Sequence, residues 1–265
     1  MSSNNTSPLR YPGGKTRACK ILDDILCMYC DITKFDTIVS PFFGGGSFEF
    51  YLQNKYNLRI IANDKFTPLY NFWITCKIQN KDLCYELHDK IDKIDKTKFV
   101  KFRDNIMNEK NIFKQSIMYF IINRCSFSGA TLSGGFSLEA SKKRFTPSSI
   151  DRINKLKLDN FMIFNFDFEK FINNNIGENN LLFLDPPYYL EKSNLYGNNG
   201  DMHENFNHEK LYTCISTKKN WIMTYNNCEY IKKMYSDFTI IETNWSYGMN
   251  KTKKSSEIII ICLDK

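Results

Sequence analysis

The run Leu181-Leu182-Phe183-Leu184-Asp185-Pro186-Pro187-Tyr188-Tyr189 decides how the chain is read. Its apolar opening is too short for an ordinary helix and does not alternate with polar residues. Such a run is a strand buried on both faces, as in a parallel sheet covered by helices. Asp185 then stands at the strand's carboxyl end, where open α/β sheets place their ligands. Pro186 and Pro187 fix φ and remove two backbone donors. The turn is therefore stiff and rich in acceptors, and Tyr188 adds a flat aromatic face. Rigid acceptors beside an aromatic plate suit a planar group with an exocyclic amine, such as adenine. The plain alternative is a strand followed by a proline turn.

Upstream, Phe35-Asp36-Thr37-Ile38-Val39 reads as another strand. It runs into Ser40-Pro41-Phe42-Phe43-Gly44-Gly45-Gly46-Ser47 and a helix to about Asn54. Glycines between strand and helix let a cofactor approach the backbone and meet the helix N-terminal amides. Leu58 to Asp64 is a second strand ending in an acid, 18 residues after Gly46. An acid there can accept from ribose hydroxyls, or simply start the next helix, expected over about Thr67 to Ile78. Near the N-terminus, Arg10-Tyr11-Pro12-Gly13-Gly14-Lys15-Thr16 precedes a helix to about Cys30. Its spacing is not that of a phosphate-binding P-loop.

From about Gln79 to Asn160 the strand–helix alternation stops. Amphipathic helical segments lead to Ile117–Ile122, an apolar helix or strand, and then to Asn123-Arg124-Cys125-Ser126-Phe127-Ser128-Gly129. The basic trio Lys142-Lys143-Arg144 follows. Glycine turns, an isolated Arg and a basic trio suit a surface meeting phosphates and bases; a solvated charge run is the alternative. Arg124 can equally tie this insertion to the core.

Alternation resumes with a strand from Phe161 to about Phe166, followed by Asp167, Phe168 and a helix. After the central run, Glu191 to Asn205 reads as a mobile loop, with Tyr196 its notable aromatic. Trp221–Asn226 is another buried strand. Phe238–Trp245 and Glu257–Cys262 make a long hairpin whose tip carries Lys251, Lys253 and Lys254. His208, at a helix start, is a poor general-base candidate.

The chain has 265 residues, 42% hydrophobic, and a formal charge of +7, enough for one large α/β domain with an insertion. The charge permits a polyanionic partner without demanding one. Nine scattered cysteines and no signal peptide indicate an intracellular, reducing compartment. Cys27-Met28-Tyr29-Cys30 has no second pair to complete a zinc site, so no metal is expected. No apolar run is long enough for a membrane span.

Taken together, the motifs resemble the Dam-like (D12 class) DNA adenine-N6 methyltransferases: the Tyr-Pro-Gly-Gly-Lys segment, the Pro-Phe-x-Gly-x-Gly-Ser turn, the acid-ended strand, an insertion, then Asp-Pro-Pro-Tyr. This is the α order of motifs, and the resemblance covers most of the chain. It implies an α/β fold with a seven-stranded, mostly parallel Rossmann-like sheet, one antiparallel strand, and a helical, hairpin-containing target-recognition insertion. Residues 1–78 and 161–265 would form the catalytic domain around an insertion at 79–160. The implied cofactor is S-adenosylmethionine, held by Arg10, Tyr11, Gly14, Lys15, Phe43, Gly44, Gly45, Gly46, Ser47, Asp64, Phe166, Asp167, Phe168 and Asp185. By the resemblance Tyr11 packs on this donor, Lys15 meets its carboxylate and Asp167 takes its adenine amine, with Phe166 or Phe168 covering the ring. Core packing explains the phenylalanines equally well.

The implied substrate is adenine in double-stranded DNA, flipped out of the stack at a cost of a few kcal/mol. Asp185 and the Pro186 carbonyl would accept the amine hydrogens, with Tyr188 stacking on the base. No cysteine need be catalytic. Arg124, Ser128, Lys142, Lys143, Arg144, Tyr196, Lys251 and Lys253 are the DNA-contact candidates. Where the Dam branch carries Asn-Gly and a following Arg, this chain has Ser128-Gly129 and Ala130-Thr131-Leu132, so the recognition sequence stays open. A homodimer and a cognate restriction endonuclease are compatible partners. The alternatives are adenine in RNA and a non-catalytic DNA-binding relic. Asp185 argues against protein glutamine methylation, whose enzymes tend to carry Asn-Pro-Pro-Tyr.

Overall fold

The computed structural model describes residues 5–11, 13–175, 177–189, 206–245 and 255–263. Tyr196, the loop around it, and Lys251, Lys253 and Lys254 lie outside them. The apolar runs become the strands β1 (Thr37–Ser40), β2 (Arg59–Asn63), β3 (Phe161–Phe164), β4 (Asn180–Leu184) and β5 (Trp221–Asn226), followed by β6 (Thr239–Trp245) and β7 (Ser255–Cys262). They form one seven-stranded sheet in the order β3-β2-β1-β4-β5-β7-β6. The pairs β1–β2, β1–β4, β2–β3 and β4–β5 are parallel. β7 lies between β5 and β6 and is antiparallel to both.

Burial on both faces is visible residue by residue. Leu181 and Phe183 enter one hydrophobic cluster and Leu182 and Leu184 the other, on the opposite face. Ile222 and Met223 of β5 divide the same way. A period of two with both faces apolar gives a continuous apolar run, which is why these strands show no alternation.

The helices are α1 (Cys19–Tyr29), α2 (Ser47–Tyr56), α3 (Thr67–Ile78), α4 (Asn80–Asp89), α5 (Lys96–Asn105), α6 (Ile112–Cys125), α7 (Leu138–Lys143), α8 (Pro147–Asn154), α9 (Phe168–Asn175), α10 (His208–Ile215) and α11 (Glu229–Met234). α3 has the expected limits, with Pro68 in its first turn. The helix expected from Lys15 splits into a 3-10 turn, Lys15–Arg17, and α1.

The insertion comprises α4 to α8. Every residue of α6 from Gln115 to Cys125 is buried, so the ambiguous Ile117–Ile122 run is a helix enclosed on all sides. α6 packs on α3, with polar links from Asn71 to Gln115 (2.5 Å) and between Thr75 and Ser116 (2.8 Å). Leu83, Phe99, Phe120, Phe145 and Ile150 join the same cluster as β1 and β4, so this segment shares the core of the sheet. The expected hairpin is reduced to a single antiparallel bridge, Ser126 to Phe136, enclosing two 3-10 turns. Among the described residues, no helix is long and apolar enough to cross a membrane.

Candidate active site

The chain runs outward from β1 through β2 to β3, then returns to β4 on the other side of β1. Neighbouring strands β1 and β4 thus send their following loops in opposite directions. That switch point is where a crevice opens outside the carboxyl ends of a parallel sheet. The glycine turn after β1 and the Asp-Pro-Pro-Tyr turn after β4 stand side by side there.

Asp185 is 23% exposed at its side chain, and Lys15 beside it only 3%. Lys15 Nζ donates to both carboxylate oxygens, at 2.7 Å to Oδ1 and 2.8 Å to Oδ2, and to the Gly13 carbonyl at 3.0 Å. Thr224, fully buried on β5, donates to Asp185 Oδ1 at 2.6 Å. Lys15 Nζ also lies 5.2 Å from the centre of the half-buried Tyr188 ring, which stacks on Tyr225. Asn226 donates to the Tyr189 carbonyl at 2.7 Å, fixing the far side of the proline turn. Close by in charge is Glu49 of α2, 2% exposed and accepting from Ser40 at 2.5 Å. Burial, with a smaller contribution from Asp185, pushes its carboxyl up to about 8 against the effect of the Ser40 bond and Lys15. Glu49 therefore holds a proton at neutral pH.

In the glycine turn, Gly44 has φ 51° and Gly46 φ 66°. A Cβ on Gly44 would lie 2.8 Å from the Tyr11 ring, and one on Gly46 2.3 Å from Phe43. The buried Asp64 carboxylate accepts the Gly44 and Phe66 amides, each at 2.9 Å, and Trp73 donates to the Gly44 carbonyl. Burial raises Asp64 to about 6 despite those bonds. Asn63 spans the loops after β1 and β3: it donates to the Pro41 and Phe166 carbonyls and accepts the Phe166 amide. Glu49, Asn63 and Thr224 escape a reading by motif. Their only sequence signal is a polar residue within an apolar strand or helix.

The structure divides the expected donor-side residues between the core and the open side of the turns. Phe43 is a core residue, packed against Phe50, Trp73 and Phe161, so it lies under the turn and not on its open side. Phe168 is likewise buried against Phe42 and Phe206, whereas half-buried Phe166 stacks on Phe164 and carries Lys170 Nζ 4.4 Å from its ring centre. Asp167 remains accessible, paired with Lys65 at 3.2 Å. Lys15, assigned by resemblance to a donor carboxylate, is paired with Asp185. Ser47 accepts from Thr16 at 3.0 Å, and the Gly14 amide donates to the Tyr11 carbonyl at 3.0 Å. Arg10 faces the segment after α6, its guanidinium donating to the Ser126 carbonyl at 3.4 Å. Its backbone bonds both ways with Asn123, and its Cβ lies 2.9 Å from where a Gly129 side chain would begin.

Arg124 is 7% exposed and donates to the Arg144 and Pro8 carbonyls. From there it ties residues of the α4–α8 segment to the N-terminal segment. Burial lowers it to about 10, helped by the charges of Arg10, Arg152 and Arg144. Among the described residues none of these four guanidiniums has an ion-pair partner. Arg144, Lys142 and Lys143 are exposed, Lys143 with a Glu139 partner at 3.1 Å. Ser128, half-buried at φ 57°, lies next to Phe127, an apolar ring 68% exposed. His208 is buried, hydrogen-bonded to Tyr225 and set against Tyr189 and Phe206, which is a packing role. All the cysteines are free, and among the described residues no group of three or more His, Cys, Asp or Glu could hold a metal.

The sequence pattern of D12 class N6 adenine-specific DNA methyltransferases matches residues 11–249, from the Tyr11 segment to beyond β6. The chain belongs to that family. It is also 25% identical over 259 residues to the type II methyltransferase M.MjaIII of Methanocaldococcus jannaschii, covering 88% of each chain. The protein is thus an adenine-specific DNA methyltransferase. In this D12 methyltransferase the glycine turn and the Asp-Pro-Pro-Tyr turn follow neighbouring parallel strands, β1 and β4.

Proposed function

We propose that this D12 methyltransferase transfers the methyl group of S-adenosylmethionine to N6 of an adenine flipped out of a short sequence in double-stranded DNA. The observation that carries this is the placement of the Asp185 carboxylate, held by Lys15 and Thr224, beside the glycine turn. The chain's residues suit the donor. The glycine turn presents backbone where side chains would collide, Asp64 and Asp167 offer carboxylates at the ends of β2 and β3, and Tyr11 and half-buried Phe166 supply aromatic rings beside them.

The donor supplies a methyl group on a sulfonium leaving group. N6 is a weak nucleophile because its lone pair delocalises into the purine ring. Asp185 and the Pro186 carbonyl accept its two hydrogens, turn the nitrogen towards tetrahedral geometry and aim the lone pair. Orientation of this kind lies within the roughly 7–11 kcal/mol that positioning can supply. Stacking on Tyr188 recovers roughly 1–3 kcal/mol of the cost of flipping. Asp185 or water then takes the proton that the methylated nitrogen sheds. The exposed Lys142 and Arg144 meet phosphates. The type II name of the M. jannaschii relative supports a cognate restriction endonuclease as a partner.

The test is incubation with S-adenosylmethionine and unmethylated genomic DNA, followed by long-read mapping of N6-methyladenine. The expected result is methylation at one short motif, absent with Asp185→Ala. Donor binding without DNA methylation would move the acceptor to RNA.

A further inference from the structure

We infer that Thr224 is a positioning residue for methyl transfer: its hydroxyl occupies Oδ1 of Asp185 and thereby makes Oδ2 the oxygen that receives the amine hydrogen. The inference rests on the role proposed for Asp185. A carboxylate offers about four lone-pair directions, two on each oxygen. Oδ1 accepts from Lys15 at 2.7 Å and from Thr224 at 2.6 Å, so both its directions are used. Oδ2 accepts only from Lys15, at 2.8 Å, among the described residues. One direction on Oδ2 remains, and the 23% exposure of the side chain gives it access to the crevice.

Lys15 alone would not make this distinction. Its ammonium sits nearly equidistant from both oxygens and is compatible with either as the acceptor. Thr224 breaks the symmetry. It lies on β5, whose Met223 is paired with Leu184, the residue before Asp185. The hydroxyl is therefore carried on the strand adjoining that of the carboxylate. Thr224 is fully buried, and its β-branched side chain has few rotamers, so the donor direction is rigid. Without the hydroxyl the carboxylate can turn about its terminal torsion, which is broad for Asp. The amine then meets a distribution of acceptor positions, and the cost falls on the transition state, where the nitrogen's direction matters most.

The test compares Thr224→Val and Thr224→Ser in the intact enzyme, with Asp185→Ala alongside. Valine keeps the shape and removes the hydroxyl; serine keeps the hydroxyl. For Thr224→Val, single-turnover methylation should slow roughly ten- to a hundred-fold, the scale of a lost hydrogen bond to a charged group. Donor affinity by calorimetry and KM for DNA should stay within about two-fold, since the contact is used in the transition state. Thr224→Ser should return to within about three-fold of the parent rate. Parent-like turnover in Thr224→Val would overturn the inference. So would equal slowing of both variants with a matching fall in melting temperature, the mark of a packing role. If valine prevents folding, Thr224→Ala carries the same expectation. Active Asp185→Ala would instead refute the role of Asp185 itself; inactive Asp185→Ala with parent-like Thr224→Val would refute only the role of Thr224.

Discussion

Lys15 Nζ bridges the two carboxylate oxygens of Asp185 at 2.7 and 2.8 Å, although 170 residues separate the two in the chain. The pair joins the segment before α1 to the turn after β4. It neutralises the carboxylate proposed to receive the substrate amine and links segments that lie on either side of α4–α8 in the chain. Removing one partner of a buried pair leaves the other charge uncompensated. Lys15→Ala should therefore lower unfolding stability by about 2–4 kcal/mol, reduced from the fully buried case because Asp185 is partly exposed. Urea unfolding of Lys15→Ala, Asp185→Ala and the double variant provides the check. The double variant should be clearly more stable than the two single losses added together.

Glu49 gives a pH dependence of defined sign. Its carboxyl titrates near 4.5 unfolded and at about 8 in the fold, raised chiefly by burial. Between these values the native state holds a proton that the unfolded chain has lost. Stability from this group is complete below about pH 4.5 and declines as pH rises to about 8. Glu49→Gln cannot ionise, so its stability curve should be flatter than the parent's across that window. The separation should reach a few kcal/mol at pH 8. Parallel melting curves for parent and variant from pH 5 to 8 would contradict the assignment.

The glycine turn separates a folding role from a binding role. At Gly46, with φ 66°, a Cβ would lie 2.3 Å from the buried Phe43 ring, so Gly46→Ala should cost more than about 2 kcal/mol or prevent folding. At Gly44 the obstacle is Tyr11, on the segment preceding α1 and outside the sheet. Gly44→Ala should displace that segment and weaken donor affinity by ten-fold or more. Calorimetry with S-adenosylmethionine and thermal melting on the same samples distinguish the two.

The basic residues of the insertion divide by burial. Lys142→Ala and Arg144→Ala should each weaken DNA binding several-fold and lower the slope of log affinity against log salt by about one. Arg124→Ala should instead destabilise the protein by about 2–3 kcal/mol, because the Arg144 and Pro8 carbonyls lose their donor. Fluorescence anisotropy across a salt series, beside melting curves, reads both effects.

The local elements were legible in the sequence. The strand before Asp185, the glycine turn after β1, the limits of α3 and the C-terminal hairpin all follow from short-range rules of burial, turn chemistry and capping. The motif order also carried the family. Side-chain direction was not legible, because whether an aromatic or arginine faces a ligand or the core depends on neighbours distant in the chain. Phe166 and Phe168 look alike in sequence, yet only the second is enclosed by Phe42 and Phe206. Arg124 stands beside glycine turns and a basic trio in sequence, and only the fold shows its donors spent on the Pro8 and Arg144 carbonyls. Likewise, nothing in the sequence marks Thr224 or Glu49 as neighbours of the catalytic turn. They become so because β4 pairs with both β1 and β5. Sequence determined the local elements and the family motifs; the strand order, a non-local property, decided which other residues are packed beside those motifs.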